Sequence, residues 1–242
     1  MQSNLKKEDC GFMINKRKLV DCDILVAINS CDRDLSQLNE LKKSEFYQTM
    51  VNDDRIQIIE YFRGGSEVSF DKGKLTLTGP EHYDFLYKKT YDMINWIVKN
   101  RTFNKLVKLD CNFMSYDRVK ERTKQKICGL DRVEKTIYKK RGMEYTGSNG
   151  RPFLLRDFRA WLKERNLQTN LEFPQWIADA ENMKYFCGKC YRISYDFAKY
   201  ITTSAVLDII NDHSVVDEKK QLPFAIEDVM IGRMFERYNK GV

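Results

Sequence analysis

Asp110, Cys111 and Asn112 directly follow an apolar run in the stretch KLVKLDCNFM, residues 105–114. A carboxylate and a carboxamide therefore stand where a buried strand would end. Open α/β sheets bind their ligands at the carboxyl ends of their strands. The alternative is an apolar strand that simply closes in a polar turn. The chemical interpretation depends on whether the chain builds such a sheet.

A second polar pair, Glu227 and Asp228, stands near the start of AIEDVMIGRMFERY, residues 225–238. The apolar residues of this segment have helical spacing, so both acids fall in the first turn of a predicted helix. Carboxylates at that place complement the helix dipole whether or not they do chemistry. The pair is compatible with a structural role and with a catalytic one.

Seven cysteines at irregular spacing favour free thiols in a reducing compartment over a disulfide framework. The one C-x-x-C stretch, from Cys187 to Cys190, has no second cysteine pair and no histidine pair to accompany it. It is therefore a poor candidate for a zinc site.

Strands and helices alternate in the first half of the chain. Apolar runs predict strands at residues 22–29, 56–62 and 105–110, with a short extended piece at 75–80. Helical spacing predicts helices at 35–50 and 81–98, then at 195–210 and 225–238, and a glycine-containing loop leads into a short strand at 191–194. This alternation implies parallel pairing in a doubly wound α/β fold. It also places the Asn29–Ser30 loop near the turn at Asp110.

Positive charge is concentrated in residues 118–165, which contain fifteen Lys or Arg against six Asp or Glu, in a chain whose net charge is +7. Two helices are predicted in this basic segment, separated by a turn at residues 147–152. Such an excess is typical of a phosphate-binding surface, but it also occurs on ordinary solvated helix faces.

The longest apolar runs, such as DILVAI, are far too short to cross a bilayer, and the first residues lack the apolar core of a signal peptide. We therefore expect no membrane span in this chain. It is predicted to be cytoplasmic, or to be an excised domain of a larger protein.

Several short motifs occur together in an order that is similar to one known family. The pattern resembles the β-1,3-galactosyltransferase and Fringe-like group of inverting glycosyltransferases, and the resemblance covers roughly residues 24–232. Its motifs are Tyr83-x-x-Leu86-x-x-Lys89-Thr90, then Trp96, Lys108-x-Asp110, Gly188-x-x-Tyr191-x-x-Ser194 and Glu227-Asp228-Val229-x-x-Gly232.

The resemblance implies a GT-A type of α/β fold, in which a Rossmann-like, mostly parallel sheet is flanked by helices. It implies a single glycosyltransferase domain over residues 1–242. Its parts are an N-terminal extension (1–20), a nucleotide-sugar binding half (21–117), a basic helical insertion (118–170) and an acceptor and catalytic half (171–242).

The resemblance also implies the reaction, which is transfer of a sugar from a nucleoside diphosphate sugar, with UDP as the expected nucleotide, to a glycan hydroxyl. Inversion needs a carboxylate that takes the proton of the attacking hydroxyl. By resemblance Asp228 is that base, and Glu227 shapes the site or holds an acceptor hydroxyl. Tyr83, Leu86 and Trp96 are expected in the core, and Lys89 is expected to have a structural role.

The donor is expected to lie against the loop after the first strand, the end of the third strand and the glycine motif. The implied donor-binding residues are Asn29, Ser30, Arg33, Lys108, Asp110, Cys111, Gly188 and Lys189.

The family holds Mn²⁺ or Mg²⁺ against the diphosphate with a triplet of aspartates, so the resemblance makes Asp110 and Asn112 the expected metal ligands. Cys111 and Asn112 replace two of those aspartates, and an amide binds such ions more weakly than a carboxylate does. The family's histidine ligand after the Glu227 block is also missing, since the only histidines are His82 and His213.

Cations of the basic segment are an alternative source of positive charge for the diphosphate, for example the pairs Lys139/Lys140 and Arg156/Arg159. Two other classes of function also stay open. One is an inactive relative that binds a nucleotide or a glycan without turnover. The other is a basic nucleic-acid-binding module, although no recognised motif supports it and a nucleic-acid partner is not expected.

Overall fold

A computed structural model describes residues 21–81, 86–113, 145–147, 151–152, 154–164, 181–186, 188–203 and 227–241. The described strands are β1 (Cys22–Asn29), β2 (Ile56–Gly65), β3 (Ser69–Asp71), β4 (Lys74–Thr78), β5 (Phe103–Asp110), β6 (Tyr145–Gly147), β7 (Arg151–Pro152), β8 (Lys184–Tyr185) and β9 (Cys190–Ser194). The described α-helices are α1 (Leu35–Lys43), α2 (Glu45–Val51), α3 (Leu86–Asn100), α4 (Leu155–Glu164), α5 (Tyr195–Ile201) and α6 (Glu227–Lys240).

The described strands form one seven-stranded sheet in the order β3-β4-β2-β1-β5-β9-β6, and β7 pairs with β8 separately. β1 is parallel to β2 and β5, and β2 is parallel to β4. β9 lies antiparallel between β5 and β6, and β3 is antiparallel to β4. The sheet is therefore mixed and mostly parallel, and the predicted α/β class is confirmed.

The chain changes direction across the sheet at β1. After β1 it adds β2 and β4 on one side, and it then returns through α3 to place β5 on the other side. In such a sheet the helices that follow the two central strands diverge, which leaves a crevice outside the carboxyl ends of those strands. By this rule the crevice is expected where Asn29 is paired in register with Asp110.

Both faces of the central strands are buried, which explains the continuous apolar run in β1 and the apolar residues on both faces of β5. On one face Leu25, Ala27 and Leu106 belong to a core cluster with residues of α3, α5 and α6. On the other face Val26, Ile28 and Val107 pack in a cluster with residues of α1 and α2. Alternate residues of a strand point to opposite faces, so each strand serves both clusters.

The helix predicted over residues 35–50 is two helices in the structure, because Ser44 interrupts it. The Ser44 hydroxyl accepts a hydrogen bond from the Tyr47 backbone N–H at 3.2 Å and donates one to the Leu41 carbonyl at 2.6 Å. Ser44 therefore caps α2 while it ends α1, a common role for serine.

Most of the other predicted elements agree with the structure where it describes them, but the turn predicted at residues 147–152 is wrong at both described ends, which are the strands Tyr145–Gly147 and Arg151–Pro152. The three long strands are confirmed, and β4 corresponds to the short extended piece. α3 is described from Leu86 to Asn100 and so runs two residues past the predicted end at 98, while residues 82–85 with Tyr83 lie outside the described part. α5 matches only the start of the helix predicted at 195–210, because it ends at Ile201 with Thr202 as its C-cap, and α6 corresponds to the helix predicted at 225–238.

In the basic segment α4 is the second predicted helix, and the first lies outside the described residues. Within the described ranges, no helix is long and apolar enough to cross a membrane.

Candidate active site

The ends of β1 and β5 meet as predicted. The side-chain amide of Asn29 donates a hydrogen bond to Oδ1 of Asp110 at 3.1 Å. One residue further, the backbone N–H of Cys111 donates to the Asn29 carbonyl at 3.0 Å. The two turns therefore form one edge of the crevice at the centre of the sheet.

Lys108 lies on β5, two residues before Asp110, and its side chain is only 1% exposed. Its ammonium donates to Oδ1 of Asp110 at 2.7 Å and to the Gly188 carbonyl, and it lies 3.3 Å from Oε2 of Glu227. Burial alone would lower the pKa of this ammonium, but the carboxylates of Asp110 and Glu227 outweigh burial and hold that pKa well above its usual value. Lys108 thus remains a cation inside the protein and joins the end of β5 to α6.

Glu227 is 4% exposed and accepts hydrogen bonds at both carboxylate oxygens. The hydroxyl of the buried Tyr191 donates to Oε1, and Lys108 approaches Oε2. Burial raises the pKa of the Glu227 carboxyl to about 7, although the Lys108 ammonium acts in the opposite direction. These contacts favour the first of the two roles predicted for Glu227, which is to shape the site.

Asp228 is only partly buried and lies beside Gly188, in the first turn of α6. Its Oδ2 accepts a hydrogen bond from the Gly188 backbone N–H at 3.1 Å, and its Oδ1 accepts one from the Val229 backbone N–H at 3.0 Å. Two backbone donors therefore hold the carboxylate in one orientation.

Gly188 is a glycine because the acids of α6 approach it closely. A Cβ atom built on it would lie 2.7 Å from Oε2 of Glu227 and 3.6 Å from Cβ of Asp228. The sequence left two explanations open for this glycine, a tight turn or close approach of the backbone to a sugar. Neither explanation includes the contact with α6. The glycine lets the loop before β9 pack against the start of α6.

Lys189 and Asn112 face each other across the end of β5, and both are partly exposed. The Lys189 ammonium donates to Oδ1 of Asn112 at 2.6 Å, and the Lys189 carbonyl accepts a hydrogen bond from the Asp110 backbone N–H at 2.9 Å. The loop before β9 is therefore attached to the crevice by both its backbone and its side chain.

The two predicted metal ligands, Asp110 and Asn112, each have a lysine ammonium on one side-chain oxygen. A divalent cation needs the lone pairs of such oxygens and is repelled by neighbouring ammonium groups. In this arrangement the two side chains fit Mn²⁺ or Mg²⁺ poorly. The dependence on metal stays a prediction.

For two of the predicted donor-binding residues, Arg33 and Cys111, the side chain has a described contact with Asp34. The side chain of Arg33 is 78% exposed and lies 3.7 Å from Asp34. Cys111 is buried, burial raises the pKa of its thiol to about 11, and the thiol contacts the Asp34 carbonyl at 4.0 Å. A buried, protonated thiol is suited to packing and not to binding an anion.

The backbone of Ser30 is held by the buried ammonium of Lys89, which is also ion-paired with the more exposed Glu81. The Lys89 ammonium donates to the Ser30 carbonyl at 2.6 Å and to both carboxylate oxygens of Glu81, at 3.0 and 2.7 Å. Lys89 therefore positions the loop after β1, in agreement with its predicted structural role. Its partner Glu81 was missed, since nothing in its local sequence distinguishes it from a surface acid.

No protein-family model matches this chain, and no curated protein matches it. A functional interpretation therefore depends on what the crevice brings together. It combines a fixed and partly exposed carboxylate, a partly exposed ammonium, and a buried charge network that ties both to the sheet.

Proposed function

We propose that the protein is an inverting glycosyltransferase of the GT-A type, which transfers a sugar from a nucleoside diphosphate sugar, UDP in our proposal, to a hydroxyl of a glycan. One observation carries the proposal. Side chains or backbone from three separate motifs, K-x-D, G-x-x-Y and E-D-V, contact one another around the Lys108 ammonium. They meet at the switch point of the α/β sheet, which is where sheets of this class bind their ligands.

Asp228 is the general base of the proposed reaction. The acceptor hydroxyl attacks the anomeric carbon from the face opposite the leaving group, and its proton passes to the Asp228 carboxylate. The new bond joins the anomeric carbon to the acceptor oxygen as the bond to the diphosphate oxygen breaks, which inverts the configuration. The two backbone N–H groups on Asp228 keep its carboxylate oriented, which lowers the entropic cost of the proton transfer.

The donor lies in the crevice formed by Asn29, Asp110 and Lys189. Lys108 and Glu227 do not touch the donor, because both are buried, and they act as positioning residues. Through the Gly188 carbonyl, Lys108 holds the loop whose backbone N–H orients Asp228. The charge network thereby fixes the distance between the donor crevice and the base.

The experiment that tests the proposal combines thermal shift with a transfer assay. The protein is screened against UDP-sugars and other nucleoside diphosphate sugars, each with Mn²⁺, with Mg²⁺ and with EDTA, because a ligand that binds only the native state raises its melting temperature. A donor that produces a shift is then incubated with glycan acceptors. We expect transfer by the wild type and a loss of about 100-fold or more in Asp228→Asn, which keeps the shape but removes the base.

A second candidate function, binding of a nucleotide sugar without turnover, is favoured by the engagement of Asn112 with Lys189 in place of a metal. The two candidates differ in the second step of the experiment. Donor binding without transfer to any acceptor supports the inactive relative. The absence of binding by every nucleotide sugar contradicts both.

A further inference from the structure

We propose that the protein encloses a binding site for ordered water next to the crevice, where Asn29, Tyr61 and Thr90 hold the water between the buried ammonium groups of Lys89 and Lys108. The inference goes beyond the proposed function and does not depend on it. It concerns the polar groups that lie inside the protein, on the face of the sheet that α3 and α6 cover.

Three buried side-chain oxygens are the first argument. Oδ1 of Asn29, the Tyr61 hydroxyl and the Thr90 hydroxyl are shielded from solvent and have no hydrogen-bond partner among the described residues. Tyr61 and Thr90 are at most 1% exposed. Native proteins rarely leave such groups unpaired, because an unpaired buried polar group costs free energy, and ordered water usually supplies the missing bond.

The register of the sheet brings two of these oxygens to the same place. Asn29 is paired with Tyr61 on one side and with Asp110 on the other, so the three side chains project from the same face. The amide of Asn29 donates to Asp110. Its Oδ1 is therefore the end of the side chain that needs a donor.

Tyr61 connects Asn29 with Thr90 and with both lysines. Burial raises the pKa of the Tyr61 phenol above its usual value, and the Lys108 ammonium and the Thr90 hydroxyl act against burial, so both groups are neighbours of the phenol. The hydroxyls of Tyr61 and Thr90 nevertheless do not meet the geometry of a hydrogen bond. The Lys89 ammonium lies 5.5 Å from the centre of the Tyr61 ring.

The two ammonium groups have no donor left for these oxygens, because an ammonium has three N–H groups. Lys89 uses its donors on the Ser30 carbonyl and on both carboxylate oxygens of Glu81. Lys108 likewise has three polar contacts, with two carboxylates and one carbonyl. A water molecule both donates and accepts, so it supplies the bonds that the lysines do not.

The charge of the surroundings selects a neutral ligand. Besides the two ammonium groups, the region contains the carboxyl groups of Glu81, Asp110 and Glu227, with that of Asp228 nearby. An added cation would be repelled by the ammonium groups and an added anion by the carboxylates, and burial strengthens both repulsions. The three oxygens are sealed from solvent, which favours a ligand as small as water.

The experiment counts internal water by magnetic relaxation dispersion of the water oxygen, which detects water molecules that stay inside a protein far longer than at its surface. The wild-type chain is compared with Tyr61→Phe, with Thr90→Val and with the double variant. Each replacement keeps nearly the same shape and removes a hydroxyl. Tyr195→Phe is the matched control, because Tyr195 is only partly buried, at the start of α5. Thermal melts of every variant accompany the count.

We expect the double variant to hold at least one internal water molecule fewer than the wild type, and the control to hold the same number. Tyr61→Phe and Thr90→Val should each lower the melting temperature, because each removes a partner of the water and leaves the remaining groups less well satisfied. The two losses should be less than additive, since the first change already weakens binding of the water that both hydroxyls contact.

A change of the opposite sign overturns the inference. If the hydroxyls have no water partner, removing a buried and unpaired polar group stabilises the protein, and Tyr61→Phe melts above the wild type. An unchanged number of internal water molecules in the variants overturns it as well. The single variants decide the question if the double variant does not fold. Neither result bears on the glycosyltransferase proposal, in which Tyr61 and Thr90 do not contact the donor.

Discussion

Substitution of Lys108 by methionine tests whether the buried charge network has the structure described. The side chain keeps its length and apolar stem but loses the ammonium that lies between Asp110 and Glu227. Removing one partner of a buried ion pair typically costs about 3–5 kcal/mol, since an uncompensated charge stays inside.

Two features place the expected loss at the lower end of that range. Asp110 is 18% exposed, so water can partly replace the lost ammonium. Glu227 has a pKa of about 7 and can take up a proton once its counter-charge is gone. We therefore expect a loss of about 3 kcal/mol, or roughly 6–12 °C in melting temperature at about 2–4 °C per kcal/mol for a domain of this size.

The assay is urea unfolding followed by circular dichroism, together with thermal melts, near neutral pH. Lys43→Met is the control, because Lys43 is exposed in the last turn of α1, and it should change the unfolding free energy by less than about 0.5 kcal/mol. The double variant Lys108→Met/Glu227→Gln should lose clearly less than the sum of the two single variants, because it removes both buried charges.

A loss below about 1 kcal/mol in Lys108→Met would refute the reasoning, since it would mean that the ammonium is not enclosed between the two acids. Strict additivity in the double variant would refute it as well, because groups in direct contact must show coupling.

Three further predictions concern the same region. Gly188→Ala should cost about 1–3 kcal/mol, because the new Cβ lies 2.7 Å from Oε2 of Glu227, and it should also weaken donor binding; denaturant unfolding and calorimetry measure the two effects. Lys89→Met should cost about 1–3 kcal/mol in the same unfolding assay, because it leaves the buried Ser30 carbonyl unpaired and Glu81 without its cation. Glu227→Gln should gain stability relative to the wild type as the pH rises from about 4.5 to about 7. Over this range the native Glu227 carboxyl, with a pKa of about 7, keeps a proton that the unfolded chain has released, so the wild type loses stability as the pH rises. The unfolding free energies of both proteins, measured over this pH range, give the comparison.

Each of these predictions can be contradicted by a specific result, and two of them have a matched variant for comparison. Gly232→Ala introduces a Cβ 2.7 Å from Cβ of Tyr185, so it should destabilise the protein without affecting the donor; equal donor binding by Gly188→Ala and the wild type would contradict the role of Gly188. Glu81→Gln tests the other half of the Lys89 ion pair, and a large loss from it with none from Lys89→Met would be inconsistent with their contact. A wild type that instead gains stability over Glu227→Gln with rising pH would mean that Lys108 lowers the pKa of Glu227 more than burial raises it.

The three long strands of the sheet could be predicted because each is recognisable from its local sequence. β1, β2 and β5 are apolar runs bounded by polar loops, and their alternation with helices implies the parallel pairing that brings Asn29 to Asp110. The break at Ser44 was missed because apolar spacing continues through it, although a serine followed by Glu45 is a typical helix start.

The sequence motifs named several residues that the structure brings together, but they did not predict the contacts between them. The motifs named Lys108, Gly188 and Glu227, yet Lys108 reads as an ordinary charged residue in a strand until Glu227, 119 positions later, is placed beside it. The engagement of Asn112 by Lys189 is equally non-local, with 77 positions between them, and it changes the expected chemistry of the triplet. Pairings over such distances depend on tertiary packing, which local periodicity does not contain.

The attachment of α6 to β5 through Lys108 has a consequence for folding. Contacts that span so much of the chain form late, since closing a long loop costs entropy before the contact forms, and a ribosome releases residue 108 long before residue 227. Until α6 is in place, the Lys108 ammonium lacks one of its two carboxylate partners. The same helix carries Asp228, the base of the proposed reaction. Completion of the charge network and placement of Asp228 are therefore the same event.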